Sequence, residues 1–251
     1  MTLPASKKSA PLGKIMLIVL VLVIAAAGGM GYFSQKSNLD EAQTQTAALA
    51  QQTVEKAPEP LDPSDALFTA QPGELVFGKP DAPGTIIEYS SMSCPHCAFF
   101  HSDMLPQLKK ELLDTGKAKL VFRYFPLNEP ALRATQLVEC APAEKRAQFI
   151  KVLFELQKNW AFSERFKDEL KTIAAQGGLD AAQADSCFAD KDLEDRIIEG
   201  RQVAATRAGV NSTPSFFVNG VKLEDFSKAD HFAKALESAP KKPTQPTEAA
   251  E

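Results

Sequence analysis

The chain has 251 residues, 44% of them hydrophobic, and a formal net charge of −4. This suffices for one good-sized domain with additions, and the small charge without a long basic run sets nucleic-acid binding aside. Four cysteines are too few for a disulfide-stapled scaffold, so their meaning rests on spacing and neighbours.

Residues 1–14 carry Lys7, Lys8 and Lys14, and Ile15–Phe33 follow as a charge-free run, IMLIVLVLVIAAAGGMGYF. As a helix these residues span about 28 Å, close to the roughly 30 Å of bilayer hydrocarbon. No Lys or Arg follows until Lys36, so the positive-inside rule keeps residues 1–14 cytoplasmic and exports the rest. The run reads either as an uncleaved inner-membrane anchor or as a signal peptide cut near Ala25-Ala26-Ala27. Either way the body reaches an oxidising compartment, the periplasm. Residues 34–73, rich in Gln, Ala, Glu and Pro, read as a flexible linker, and residues 240–251 as a disordered tail.

Residues 74–239 are the expected domain. Glu74–Phe77 and Thr85–Ser90 read as strands divided by the turn-forming GKPDAPG segment. Cys94-Pro95-His96-Cys97 then opens an apolar-periodic helix to about Leu113, with Pro95 suited to the first turn and Pro106 expected to kink it. Lys119–Phe125 is the next strand, and strand–helix–strand predicts a parallel βαβ unit. A helical block over about 130–208 is broken at Gly177-Gly178. Ser215–Val218, the Asn219-Gly220 turn and Val221–Leu223 predict a hairpin, and Ser227 is expected to cap a last helix to Ser238.

The Cys-x-x-Cys at a helix start carries the chemistry. Free N–H groups and the helix dipole stabilise an anion there, which makes Cys94 the reactive thiolate. His96 adds a donor or a positive charge, and Cys97, one turn further in, is expected to be the buried resolving thiol. Stabilising the Cys94 thiolate stabilises the reduced form and makes the disulfide more oxidising. Half of a zinc site, completed by His96, His101, Cys140 or Cys187, is the competing reading. No second paired motif supports it, so no metal and no cofactor is expected. His101 and His231 read as solvated surface. Met92, Phe99 and Phe100 read as an apolar substrate surface or as core, and Trp160 as core.

The stretch IIEYSSMSCPHC at Ile86–Cys97 resembles the DsbA-like group of thioredoxin-fold proteins, in which C-P-H-C is the usual redox motif. GVNSTPSFFVNG at Gly209–Gly220 resembles their second active-site loop, and the likeness covers about Leu75 to Leu236. It implies an α/β thioredoxin fold with a helical insertion, and protein thiol:disulfide oxidoreductase activity through Cys94, Pro95, His96 and Cys97. It implies a cis Pro214 facing the cysteines, with the Thr213 backbone turned towards a substrate strand. An ordinary trans proline starting a strand is the alternative. It also implies that Glu88, six residues before Cys94, relays the proton of Cys97, against the alternative of a solvent-facing strand end. Cys140 and Cys187, 47 residues apart in the insertion, are expected to pair as a structural disulfide if their Cα atoms approach within about 7 Å, or else to be two buried thiols. Some DsbA-like proteins carry such a bond.

The implied function is disulfide donation to reduced exported proteins, with reoxidation by a quinone-linked, DsbB-like membrane partner. Thr213 departs from the valine of the best-known oxidases, which keeps isomerase or reductase work open. An anchored peptide-binding holdase with structural cysteines is the reading from another class.

Overall fold

The computed structural model describes residue 62 and residues 65–239; the apolar segment 15–33 and the tail 240–251 lie outside the described residues. Five strands form the central sheet: β1 (Leu75–Gly78), β2 (Gly84–Ser90), β3 (Ala118–Tyr124), β4 (Ser215–Val218) and β5 (Val221–Leu223). Their order is β1-β3-β2-β4-β5; β2 and β3 are parallel and every other pair is antiparallel. All seven residues of β2 are buried, as befits a central strand covered on both faces. The β4–β5 turn uses left-handed backbone at Asn219 (φ 47°) and Gly220 (φ 85°). Asn219 also locks the hairpin to β2, its N–H donating to the Thr85 carbonyl at 2.8 Å and its Oδ1 accepting from the Thr85 N–H at 2.9 Å.

Helix α1 joins β2 to β3. It runs as Pro95–Phe99 (α), Phe100–Met104 (π), Leu105–Leu108 (α) and Lys109–Leu113 (π). Pro106 has no N–H to bond back to Ser102, and the wide turn just before it accommodates that gap. The helical insertion follows β3 as α2 (Glu129–Cys140), α3 (Ala143–Glu155), α4 (Gln157–Trp160), α5 (Phe166–Ala174), α6 (Ala181–Ala189) and α7 (Lys191–Arg207). Side chains cap the starts of α2, α6 and α7: Asn128 Oδ1 accepts from the Ala131 N–H, Asp180 and Gln183 form a reciprocal capping box, and Asp190 Oδ1 accepts from the Leu193 N–H. The break after α5 falls at Gly178, which is left-handed at φ 81°, while a Cβ on Gly177 would run into the Phe149 ring. The last helix, α8 (Ala229–Ser238), has Lys228 at its N-cap; Ser227, expected to cap it, instead donates its backbone N–H to Asp225 Oδ1.

Three apolar clusters hold the layers together. Ile86, Leu120 and Phe216 pack against α1 and α8. Ile87, Tyr89, Val121 and Phe217 pack on the opposite sheet face against α7 and the segment around Leu67 and Phe68. The third joins the insertion to the start of α1, with Cys94, Cys97, Leu153, Phe154 and Trp160 in one buried group. Residues up to 73 read as linker, but Leu67 and Phe68 are buried, so the packed domain already includes residue 65. The cause is Arg123 on β3. Its guanidinium donates to the carbonyls of Leu67 (2.6 Å), Ala66 (2.9 Å) and Thr69 (2.8 Å) while paired with Glu74. Among the described residues no helix is long and apolar enough to cross a membrane.

Candidate active site

Strand β2 ends at Ser90, and Ser91–Ser93 carry the chain to Cys94, which occupies the N-cap position of α1 with extended backbone. Pro95 sits in the first turn, where its missing N–H leaves nothing unsatisfied. Cys94 and Cys97 are free thiols here, 6% and 0% exposed. The Cys94 thiol donates to the Thr213 carbonyl oxygen at 3.2 Å, and the Thr213–Pro214 peptide bond is cis. The two sequence-distant loops, around residues 94 and 213, therefore meet at one sulfur.

The two sulfurs differ sharply. Cys94 is lowered to about 5, first by a hydrogen bond from the Cys97 thiol. The Thr213 side chain and the backbone N–H groups of Cys97 and His96 add to this, while burial opposes it. Thr213 Oγ1 is buried and otherwise without a hydrogen-bond partner among the described residues, so its hydroxyl is free to donate to a thiolate. Cys97 moves the other way. Burial is the main cause, and the neighbouring Cys94 sulfur and the Glu88 carboxylate reinforce it. His96 contributes its backbone N–H; its side chain is exposed rather than turned into the site.

Glu88 is fully buried on β2, in register with Phe122 of β3 and Phe216 of β4. It does not face solvent. His101, read from the sequence as solvated, is its partner: Nε2 lies 3.0 and 3.1 Å from the two carboxylate oxygens, and the side chain is 5% exposed. Its imidazole stacks on Phe154 with centroids 4.5 Å apart, and Phe122 and Phe100 meet it edge-on. The signal was present in the spacing. His101 follows Cys97 by four residues, so a buried Cys97 turns His101 inward on the same helix face.

Nothing local in the sequence marks Gln157. It is buried at the start of α4 and donates Nε2–H to the carbonyls of Met92 (2.8 Å) and Cys94 (3.0 Å). The insertion thereby holds the loop that presents Cys94. Met92 is buried and so is not part of an apolar substrate surface; Phe99 is 57% exposed beside the cysteines, and Phe100 is core. Trp160 is fully buried with its N–H donating to the Leu153 carbonyl. Cys140 and Cys187 form a disulfide that ties the end of α2 to α6, with Cα atoms 6.3 Å apart. Among the described residues no group of three or more His, Cys, Asp or Glu side chains is placed to hold a metal ion. A groove of about 1000 Å³ runs beside the site between α1 and α3, with Phe99, Leu105 and Phe154 in its walls. A smaller cavity of about 540 Å³ lies by Tyr89 and Arg123, on the other sheet face.

A family model described as Thioredoxin matches residues 70–238. The chain belongs to the thioredoxin family. Within that family it is similar to a Rickettsia prowazekii protein named as a protein-disulfide oxidoreductase, 30% identical over 203 residues, covering 80% of this chain and 74% of the relative. It is 25% identical over 180 residues to disulfide bond formation protein D of Bacillus subtilis, covering 66% and 76%. Among solved structures it resembles Wolbachia pipientis alpha-DsbA1, at TM-score 0.62 and 30% identity, covering 68% of this chain and 92% of that one. Bacillus subtilis BdbD shares the fold at TM-score 0.58 and 23% identity, covering 66% and 91%. This thioredoxin-family chain is thus of the DsbA-like group, with its helical insertion, and is a thiol:disulfide oxidoreductase.

Proposed function

We propose that the protein donates disulfides to reduced exported proteins through Cys94 and Cys97. The asymmetry of the two sulfurs carries this reading: one thiol is lowered to about 5 and its neighbour is raised by burial. A substrate thiolate attacks the Cys94 sulfur of the enzyme disulfide. The Cys94–Cys97 bond breaks, its electron pair leaves on Cys97, and Cys97 takes up a proton. A second substrate thiolate then attacks the substrate sulfur of the mixed disulfide and releases Cys94 as a thiolate. The substrate loses two electrons, which the enzyme gains, and the stability of the Cys94 thiolate drives the exchange in this direction.

Glu88, buried and near enough for its charge to act on Cys97, serves as the group that hands Cys97 its proton. Thr213 and Pro214 border Cys94 and form the ledge on which a substrate segment lies. The body works in the periplasm, tethered by an anchor at residues 15–33, and a quinone-linked, DsbB-like membrane protein reoxidises it. The lysine asymmetry around that segment supports the orientation.

Trapping tests the chemistry. Cys97→Ser should accumulate mixed disulfides with substrate proteins and Cys94→Ser should not; equal trapping by both would refute the assignment. The reduction potential tests direction. A value well above the thioredoxin range of about −270 mV supports donation, and a value near it supports a reductase. Fractionation of the full-length chain tests the anchor, since a soluble product beginning near Gly28 would show cleavage.

A further inference from the structure

The buried Glu88–His101 pair is larger than the redox motif requires, and its geometry has a direction. Glu88 is sealed from solvent, with the aromatic rings of Phe122 and Phe216 on its neighbouring strands. His101 grips both carboxylate oxygens with one ring nitrogen, Nε2. The other, Nδ1, has no hydrogen-bond partner among the described residues, and the ring lines the groove between α1 and α3. One nitrogen thus faces a group with no route to water, and the same ring borders an open cleft. We propose that His101 is the proton exit of the site, passing protons between Glu88 and water in the groove. Cys97, Glu88 and His101 then form one relay. His101 touches no reacting atom and acts through Glu88. This inference rests on the dithiol reading and on the role of Glu88 given above.

The chemistry requires such a route. When the enzyme disulfide is reduced, the electron pair of the broken bond lands on Cys97, in a place where a thiolate is strongly disfavoured. The proton that neutralises it comes from Glu88, and Glu88 recovers its own from His101 Nε2 as the groove supplies one at Nδ1. On reoxidation the same proton leaves by the reverse path. An imidazole is the side chain suited to this, because it can accept at one nitrogen while donating at the other. The charged groups bordering the groove are Lys109 and Lys110 of α1, Asp114 just after it, Lys151 and Glu155 of α3, and Lys158 of α4. Glu88 itself is held by His101, and its charge acts on Cys97; both partners come from α1.

The test follows reduction of the Cys94–Cys97 disulfide by dithiothreitol, corrected for its thiolate fraction, across pH. His101→Gln keeps an N–H for Glu88 but cannot pass a proton through, and should react at least about tenfold more slowly. His101→Ala leaves a space open to the groove, and added imidazole should restore most of its rate while leaving the unaltered protein unaffected. Normal rates in His101→Gln, or a slow His101→Ala indifferent to imidazole, would overturn the relay. The unaltered protein gives an independent check by NMR. The His101 ring proton should exchange with water within the time of one turnover, and a ring proton lasting minutes in deuterated water would also overturn it. Failure of the unaltered disulfide to exchange would bring down the dithiol reading and this one together, whereas normal exchange in His101→Gln would bring down this one alone.

Discussion

Reducing the Cys94–Cys97 pair should make the folded protein's stability climb with pH, by an amount the site sets. In the unfolded chain Cys94 titrates near the free value of about 8.5. In the folded dithiol form it is lowered to about 5, first by the Cys97 thiol and then by Thr213 and the helix N–H groups. A lowered acid contributes stability that is complete above its unfolded pKa and is lost as pH falls through its folded pKa. The window therefore runs from about 5 to about 8.5. Within it the slope is about 1.4 kcal/mol per pH unit, which gives about 2.7 kcal/mol near neutrality and about 4 at the upper end. Cys97 adds no slope near neutrality, because it is protonated in both states, and opposes the gain only towards about pH 8.5, where the unfolded thiol begins to ionise while burial keeps the folded one protonated. By the two-electron conversion, 2.7 kcal/mol corresponds to a disulfide about 60 mV more oxidising than one between ordinary thiols. Urea unfolding of reduced and oxidised protein at several pH values reads the effect directly. The reduced form should gain on the oxidised form across the window, and reduced Cys94→Ser should lose that gain. Parallel pH profiles for the two redox forms would refute the reasoning, since every other titrating group is common to both.

Gln157→Leu removes both Nε2–H donors and leaves the buried Met92 carbonyl unpaired, while the Cys94 carbonyl keeps its bond from the Ala98 N–H, so urea unfolding should show a loss of about 1–3 kcal/mol. Replacing both Cys140 and Cys187 by Ala opens a loop of 47 residues and should lower stability by up to about 4 kcal/mol. Dithiol exchange at Cys94 should persist in that variant, and loss of exchange would show that the second disulfide shapes the site. Arg123→Ala releases the carbonyls of Ala66, Leu67 and Thr69. Limited proteolysis should then cut before Gln71 while the rest of the domain resists; unchanged resistance would refute the clamp.

Much of this architecture is written in local pattern. Pro95 after Cys94, the Asn219-Gly220 turn and the β-branched run at Ile86-Ile87 each declare an element through their own backbone preferences, and the strands lie within about a residue of where those preferences place them. What was hidden depends on distant partners. Whether Glu88 faces water is undecided by the alternation of β2, because the strand is covered on both faces and its pattern is lost. The spacing from Cys97 can turn His101 inward, but only the placement of β2 shows that a carboxylate meets it there. Gln157 has no local signature at all: its value lies in two carbonyls 63 and 65 residues away. Leu67 and Phe68 sit in a polar, proline-rich stretch whose composition says tether, and one arginine on β3 overrules that composition.

The two shifted sulfurs divide the work between equilibrium and rate. At neutral pH only Cys94 changes its ionisation between the disulfide and dithiol states, so its lowered value sets how oxidising the protein is. Cys97 stays protonated in the reduced form and leaves that balance unchanged, yet it bears the electron pair each time the bond breaks. Burial makes that instant costly, and the cost falls on the barrier rather than on the end states. A group able to supply a proton there lowers the barrier without shifting the equilibrium. Changes near Cys94, at Thr213 or the helix N–H groups, should therefore move the potential. Changes at Glu88 and His101 should move rates and their pH dependence at nearly constant potential. A His101→Gln protein with a normal rate but a displaced potential would contradict this division at its root.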